Sequence, residues 1–288
     1  MRILSLLFLL ISLAALTGCI REPDDEFDPF EQFEKEVVII ENYLDNNNIP
    51  VVKDSIYEQL YYYIEEQGTG EIPIQESWTN LSLTGRVLGQ TETFINEDSA
   101  YYKLAGLLPG MRILLPYINN GGSIQMFIPS YYGFGPEAAF EGKVPGNSVL
   151  HFEVKLNKVL GQLEYEQQII DEYIADKNLV AEIDSTKGLR YVIIEEGDGE
   201  YPAADSRVNV DYEGKYLLDD NVFDAGNEVT FGLSNLITGW KILMPYVSEG
   251  GTIMMFIPSR YGYGTDGSGS IPPDATLIFT VTLNEVVE

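Results

Sequence analysis

The sequence predicts two consecutive copies of one fold that combines strands with a few helices. Three observations predict it: a repeat of domain length, an amphipathic helix before each copy, and a last strand with alternating apolar residues. In the repeat, identical residues recur at a separation of 129, as in Gly85/Gly214, Phe94/Phe223, Gly110/Gly239, Pro116/Pro245, Phe127/Phe256 and Gly135/Gly264. After a loop the separation falls to 127, as in Pro145/Pro272 and Phe152/Phe279, so the second copy is two residues shorter there.

An amphipathic helix is predicted before each copy, because apolar residues recur there at helical spacing. The apolar face consists of Phe33, Val37, Ile40 and Leu44 in the first helix, and of Tyr165, Ile169, Ile170, Tyr173 and Ile174 in the second. Two interpretations of these faces stay open. Each helix either packs on its own domain or separates the two domains, or it lets two chains associate.

Strands are predicted inside each copy. The turn residues Gly68-Thr69-Gly70 and Gly197-Asp198-Gly199 end predicted strands over residues 61–66 and 191–195. In the last strand, Leu277, Phe279, Val281 and Leu283 alternate with Ile278, Thr280 and Thr282, which predicts one face toward the core and one away from it. The same alternation in the first copy places His151, the only histidine, on the outer face, where we expect a surface residue.

Composition and charge exclude two classes of protein. The chain has 288 residues, of which 45% are hydrophobic and 12% aromatic, so it has enough apolar material for real cores, and disorder is excluded for most of the chain. Its net charge is −28 and it has no basic cluster, so nucleic acid is excluded as a partner. The acidic residues are spread evenly, which indicates a solubility feature.

The N-terminus predicts export and a lipid anchor. Arg2 precedes an apolar run over residues 3–16, which is too short to span a hydrocarbon core of about 30 Å. Leu16-Thr17-Gly18-Cys19 follows and resembles the bacterial lipoprotein signal, the alternative being an ordinary secretory signal. This resemblance implies a signal peptide at residues 1–18 and an acylated Cys19, the only cysteine. An acidic tether at residues 19–29 would hold the protein at a bacterial membrane, facing the periplasm or on the cell surface.

A pocket is predicted between residues 236 and 279. The stretch Leu236-Ile237-Thr238-Gly239-Trp240 predicts a short apolar helix that carries a tryptophan. A strand, the turn Tyr261-Gly262-Tyr263-Gly264 and a last strand with Phe279 follow it. None of these side chains is a strong nucleophile, and no cluster of metal ligands occurs in the sequence. The residues therefore predict an aromatic pocket that contains one phenol.

The order of these residues resembles the FKBP-type peptidyl-prolyl isomerases. The resemblance extends upstream to Val210-Asp211-Tyr212-Glu213-Gly214, similar to the first pocket strand of the family, and to Val222-Phe223-Asp224, similar to its Phe-Asp pair. It implies an α+β fold with two tandem FKBP-like domains, at residues 30–160 and 161–288. Each domain would have an antiparallel sheet of about five strands, curled around a short helix.

The resemblance also implies the roles of the site residues. The catalytic set would be Tyr212, Phe223, Asp224, Ile237, Trp240, Tyr263 and Phe279, with Phe231, Leu236 and Ile271 binding substrate at the edge. Trp240 would lie beneath the proline ring, and the Tyr263 hydroxyl and the Ile237 N–H would donate to the substrate carbonyl. We expect proline-containing polypeptides as substrates, and neither a cofactor nor a metal.

The first copy departs from this pattern at each polar position. It has Leu83 where the second has Tyr212, Ile95 for Asp224, Met111 for Trp240 and Phe134 for Tyr263, and only Phe94, Leu108 and Phe152 stay comparable. The first copy is therefore predicted to be a degenerate domain, which either binds a partner or stabilises the second copy. The alternative for the protein as a whole is a non-catalytic lipoprotein that uses both copies to dock peptides or proteins.

Overall fold

The computed structural model describes residues 28–57 and 59–287. The predicted signal peptide, Cys19 and nearly all of the acidic tether lie outside these residues. Within them, the chain forms two compact units, here called the N-terminal and the C-terminal unit. The boundary between them in the sequence lies between Gln162 and Leu163. No helix in this described part of the chain combines the length and the apolar character needed to cross a membrane.

Both units have the same order of helices and strands. The N-terminal unit contains α1 (Pro29–Asn47), β1 (Val52–Lys53), β2 (Tyr61–Glu66), β3 (Trp78–Val87), β4 (Thr93–Lys103), α2 (Pro109–Leu114), β5 (Ser123–Ile128) and β6 (Leu150–Leu160). The C-terminal unit contains α3 (Gln162–Asp176, from the last residue before the boundary), β7 (Glu182–Ile183), β8 (Arg190–Glu195), β9 (Arg207–Tyr216), β10 (Val222–Gly232), α4 (Thr238–Leu243), β11 (Thr252–Ile257) and β12 (Leu277–Val287). The predicted α+β class is confirmed.

Each unit has one antiparallel sheet of six strands rather than the predicted five. The strand order is β1-β2-β5-β6-β3-β4 in the first sheet and β7-β8-β11-β12-β9-β10 in the second. The additional strand is a two-residue edge strand, β1 or β7, which pairs with the strand that follows it. A strand of two residues carries no alternation pattern, so the sequence does not reveal it.

The short helices α2 and α4 pack closely on their sheets, which explains one repeated glycine. A Cβ atom on Gly110 would lie 2.6 Å from a side-chain carbon of Ile128, and one on Gly239 would lie 2.7 Å from Ile257. Glycine therefore lets each helix approach the sheet. The contact buries Met111 and Leu114 of α2, and Trp240 and Leu243 of α4, in the core of the respective unit.

The amphipathic helices α1 and α3 each pack on the sheet of their own unit. In α1, Ile40 and Leu44 are buried against Tyr61, Phe127 and Val149. In α3, Tyr165, Ile169 and Ile170 are buried, and Tyr173 packs on Phe256 with ring centroids 5.9 Å apart. Of the two interpretations of these faces, the structure shows packing on the helix's own domain.

The expectation that His151 is a surface residue is wrong. Its side chain does lie on the outer face of the sheet, but it is only 5% exposed. The ring stacks on Phe127 with centroids 4.6 Å apart and planes 8° from parallel, and Tyr43 of α1 lies 6.4 Å away. Alternation predicts the face of a strand residue correctly, but not the helix that covers that face.

Candidate active site

The predicted site residues of the C-terminal unit come together at one end of its core. Strand β9 provides Tyr212, and β10 provides Phe223, Asp224 and Phe231. Helix α4 starts beside Ile237 and carries Trp240, while β12 provides Phe279. Trp240, Ile271 and Phe279 are buried in the core, and the half-buried residues packed against it include Tyr212, Phe223, Phe231, Leu236, Ile237 and Tyr263.

Trp240 lies at the centre of this cluster and is 3% exposed. Its ring contacts three others edge to face: Phe279 at 5.3 Å between centroids, Tyr212 at 6.0 Å and Phe231 at 6.2 Å. Edge-to-face pairs at such distances are favourable because the positive edge of one ring meets the negative face of the other. The indole is thus held in place from three sides.

Phe223 and Phe279 pack against each other over Gly214. Their rings are 5.5 Å apart and almost perpendicular. A Cβ atom on Gly214 would lie 2.7 Å from Phe223 and 2.8 Å from Phe279, so the two rings occupy the space that any other side chain would need. The recurrence of this glycine at Gly85 is explained by the same contact, with Phe94 and Phe152 as its partners.

Two hydroxyl groups and a carboxylate give the cluster its polar side. The Tyr212 hydroxyl donates a hydrogen bond of 2.9 Å to Asp224 Oδ2. Asp224 is exposed. It follows a break in the regular pairing of β10 with β9, a type of irregularity that re-aims strand side chains. The carboxylate is therefore at the rim of the cluster.

Burial and the Asp224 charge keep both tyrosines protonated. Burial raises the pKa of Tyr212 to about 12, with a further contribution from its hydrogen bond to Asp224. Burial also raises the pKa of Tyr263, and the negative charge of Asp224 adds to the effect. Both hydroxyls thus keep their protons at neutral pH: that of Tyr212 donates its hydrogen bond to Asp224, and that of Tyr263 can donate to a substrate.

Ile237 contributes through its backbone as well as its side chain. It directly precedes helix α4, and its carbonyl accepts the first hydrogen bond of the helix, from the Trp240 N–H at 3.1 Å. The N–H group of a residue in this position has no partner within its own helix. The arrangement therefore has a backbone donor beside Trp240, in addition to the Tyr263 hydroxyl.

Sequence reasoning missed Tyr216, which extends the site along β9. Its ring is 5.0 Å from that of Phe223, and its hydroxyl donates 2.9 Å to the carbonyl oxygen of Ser270, next to the predicted edge residue Ile271. Tyr216 lies two and four residues beyond Gly214 and Tyr212, so it shares their face of the strand. That alternation was a signal that could have identified it.

The N-terminal unit has an open pocket at the corresponding position. Its free space is about 410 Å³, including the solvent at its mouth. The lining side chains are apolar except for the hydroxyl of Tyr102, and they include Leu83, Phe94, Ile95, Leu108, Met111, Phe134 and Phe152. Phe140, which has no predicted role, packs on Phe94 at 4.9 Å. This pocket therefore lacks the hydroxyl and carboxylate groups of the C-terminal site.

No group of three or more His, Cys, Asp or Glu side chains within residues 28–57 and 59–287 is arranged to hold a metal ion.

Comparison with known proteins identifies a family. A profile of the FKBP-type peptidyl-prolyl cis-trans isomerases matches residues 80–157 and 199–284, one segment in each unit and together more than half of the chain. The probable FKBP-type isomerase FkpA of Neisseria meningitidis serogroup B is 41% identical over 107 residues, which cover 35% of this chain and 39% of that protein.

Two further relatives are named as peptidyl-prolyl cis-trans isomerases. FkpA of Escherichia coli K12 is 33% identical over 152 residues, 51% of this chain and 54% of that protein. The isomerase Mip of Coxiella burnetii is 33% identical over 117 residues, 39% of this chain and 50% of that protein. The chain thus spans about half of the length of these relatives, or less. With both units matched by the family profile, the chain belongs to the FKBP-type peptidyl-prolyl cis-trans isomerase family.

Proposed function

We propose that the C-terminal unit catalyses the cis/trans isomerisation of X–Pro bonds, and that the N-terminal unit is a second FKBP-like domain without this activity. The observation that carries the proposal is the cluster around Trp240, in which the rings of Tyr212, Phe231 and Phe279 pack on the indole and the Tyr212 hydroxyl donates to the exposed Asp224. The N-terminal unit keeps the fold and lacks these polar groups. The proposed domains are residues 30–160 and 161–288.

The proposed mechanism lowers the barrier to rotation without a covalent step. An X–Pro amide resists rotation by about 18–20 kcal/mol, because twisting breaks the resonance of the C–N bond. The twisted amide is less polar across this bond than the planar one. A dry aromatic pocket therefore favours the transition state over the ground state, which is the requirement for catalysis.

Each side chain has a definite task in this mechanism. Trp240 supports the proline ring, with Phe223, Phe279 and Ile237 around it. Tyr263 and the Ile237 N–H donate hydrogen bonds to the substrate carbonyl. Asp224, held by the Tyr212 hydroxyl, lies near the carbonyl that rotates. Phe231, Leu236 and Ile271 contact the flanking residues of the substrate.

We propose that the protein performs this reaction on exported chains at a bacterial membrane. The support is the apolar run over residues 3–16, followed directly by Leu16-Thr17-Gly18-Cys19. Residues 1–18 would be removed, Cys19 would carry the lipid, and residues 19–29 would form the tether. Mass spectrometry of protein extracted from membranes should find a lipidated Cys19 at the N-terminus. An intact Met1 would contradict this part of the proposal.

The test of the isomerase function is a cis/trans assay on a proline-containing tetrapeptide with the full chain. We expect catalysis by the wild type and by Met111→Ala, and a severe loss in Trp240→Ala. A wild type that binds unfolded proline-containing chains but does not accelerate isomerisation would show instead that the units are docking modules. Circular dichroism of each variant verifies that the fold is retained.

A further inference from the structure

A buried carboxylate connects helix α3 to the turn that carries Tyr263. Glu166 has no exposed surface, and its Oε2 atom accepts a hydrogen bond of 2.9 Å from the backbone N–H of Ser259. Ser259 is itself buried and begins the short 3-10 helix Ser259–Tyr261. An ionisable side chain in such a place is costly unless it is hydrogen-bonded, so this contact holds the two segments at a fixed distance.

From Ser259 the connection continues to both sides of Tyr263. The carbonyl oxygen of Ser259 accepts the N–H of Gly262 at 2.9 Å and the N–H of Gly264 at 2.8 Å. These two glycines flank Tyr263 in the sequence. A displacement of Ser259 therefore moves both ends of the short segment that sets the position of the Tyr263 hydroxyl.

The N-terminal unit contains the same connection without the hydroxyl at its end. Glu36 of α1 is 1% exposed and accepts both the N–H and the hydroxyl of Ser130, each at 2.7 Å. The Ser130 carbonyl in turn accepts the N–H groups of Gly133 and Gly135 at 2.9 and 2.8 Å. The residue between these glycines is Phe134, whose side chain has no hydroxyl to donate to a substrate carbonyl.

We propose that Glu166 is a positioning residue for catalysis: through Ser259 it holds the Tyr263 hydroxyl where it donates to the substrate carbonyl. This inference rests on the isomerase function proposed above. It assigns a role in turnover to helix α3, which also contacts its unit through the Arg190–Asp171 ion pair and through a hydrogen bond from the Tyr173 hydroxyl to Asp220. Glu36 supplies the matched control, since its loss removes an equally buried carboxylate from the unit without the site.

The experiment is a double-mutant cycle in the full chain with the tetrapeptide assay. Glu166→Ala should lower kcat/KM by up to about tenfold, no more than Tyr263→Phe does, since only that one hydrogen bond is misplaced. In the Tyr263→Phe background, Glu166→Ala should change the rate by less than about twofold, because the group it positions is already gone. Glu166→Gln keeps an acceptor oxygen and should restore most of the activity.

A spectroscopic measurement follows the position of Tyr263 independently of turnover. In the chain labelled with 3-fluorotyrosine, the ¹⁹F signal of Tyr263 is the one missing from Tyr263→Phe. It should shift or broaden in Glu166→Ala, return in Glu166→Gln and stay in place in Glu36→Ala. If the wild type shows no isomerase activity, the proposed function fails, while the ¹⁹F spectra still decide whether Glu166 positions Tyr263.

Three results would overturn the inference. The first is an unchanged ¹⁹F signal of Tyr263 in Glu166→Ala. The second is a loss of activity from Glu166→Ala that is the same in the wild-type and the Tyr263→Phe background. The third is a loss of activity from Glu36→Ala as large as that from Glu166→Ala. If circular dichroism shows that Glu166→Ala is unfolded, Glu166→Asp takes its place in the cycle. The side chain of aspartate is one methylene shorter, so we expect Glu166→Asp to misplace Tyr263 in the same way. The same three results, obtained with Glu166→Asp, would overturn the inference.

Discussion

The N-terminal and C-terminal units share their framework and differ at the site. Both have the same strand order, a short helix that approaches the sheet over a glycine, and an outer helix held by a buried glutamate. They differ at Leu83/Tyr212, Ile95/Asp224, Met111/Trp240 and Phe134/Tyr263, which are neighbours in space. Groups confined to one unit are therefore candidates for chemistry. Groups present in both units serve the fold, and they act on the reaction only through a group that one unit lacks, as we propose for Glu166 through Tyr263.

A pair of buried aspartates illustrates the first class. Asp54 accepts hydrogen bonds from the Tyr117 hydroxyl at 2.6 Å and from the N–H of Ile56 at 2.8 Å, and Asp184 accepts from the Tyr246 hydroxyl at 2.9 Å. Burial acts to raise the pKa of each carboxyl, but the hydrogen bonds outweigh it and hold the pKa below its usual range. Both units keep this arrangement. We therefore assign it a structural role: it holds the segment before β2 in one unit and before β8 in the other, and it takes no part in a reaction.

The largest expected effect is the loss of the indole at the site. Trp240→Ala removes the side chain that three rings hold in place, and truncating such a buried aromatic anchor costs about 2 kcal/mol or more in interaction energy. We expect kcat/KM of the tetrapeptide assay to fall by at least about 30-fold. Trp240→Met introduces the residue that the N-terminal unit has at this place, and it should also be strongly impaired.

The matched variant for this prediction is Met111→Ala. Removing a buried methionine destabilises the N-terminal unit by about 2–5 kcal/mol, but should leave turnover nearly unchanged. Thermal unfolding separates the loss of stability from the loss of activity. If Met111→Ala lowered the rate as much as Trp240→Ala in folded protein, the division of labour between the units would be wrong.

The sequence predicted the close-packed parts of both units better than it predicted which polar side chains are buried. The repeated glycines and aromatic residues predict the fold and the cluster around Trp240, because close packing leaves few alternatives at those positions. The burial of His151 was not predictable from alternation, since alternation does not tell what covers a strand. Glu36 and Glu166 were missed because charged residues within a helix are assigned to its exposed face. Their recurrence at a separation of 130 was the available signal.

The second prediction concerns acid stability, which should separate the units. Burial lowers the pKa of His151 to about 4; the nearby Arg86 also lowers it, while Glu153 and Glu65 act in the opposite direction. The unfolded chain therefore binds more protons between pH 6.5 and about 4. Neutral His151 contributes to the free energy of unfolding of the N-terminal unit. This contribution is fully present above pH 6.5 and is lost as the pH falls through this window. The free energy of unfolding of the N-terminal unit should fall by about 3 kcal/mol at most.

The measurement uses Trp78, which lies in the N-terminal unit. In a Trp240→Phe background it is the only tryptophan, and its fluorescence follows urea unfolding at pH 7 and pH 4.5. His151→Ile introduces the residue found at the equivalent position, Ile278, and should remove the loss over this window. An equal loss in His151→Ile would assign the acid sensitivity to other groups. Asp54 and Asp184 contribute little to the result, because their pKa values are lowered from the usual 3.8, so most of their effect on stability falls at more acidic pH than the window used here.

A smaller effect is expected from the phenol of the site. Tyr263→Phe removes one hydrogen bond to the substrate, whose net value is about 0.5–1.5 kcal/mol, so kcat/KM should fall about tenfold or less. The reverse change, Phe134→Tyr, adds a hydroxyl to the N-terminal pocket. The pocket would still have Leu83, Ile95 and Met111 in place of the tyrosine, aspartate and tryptophan of the C-terminal site. It should add no measurable activity. A folded Tyr263→Phe protein without any activity would contradict a mechanism based mainly on shape and desolvation.

The smallest expected effect is that of pH on turnover between pH 6 and 8. The pKa of Tyr212 is raised to about 12 and that of Tyr263 is raised as well, so both hydroxyls keep their protons throughout this range. His151, the only histidine, belongs to the other unit. The kcat/KM of the tetrapeptide assay should therefore change by less than about twofold from pH 6 to 8. His151→Ile should give the same flat profile although it alters acid stability. A bell-shaped profile centred in this range would require a titrating acid or base at the site, and would contradict a mechanism based on shape and desolvation.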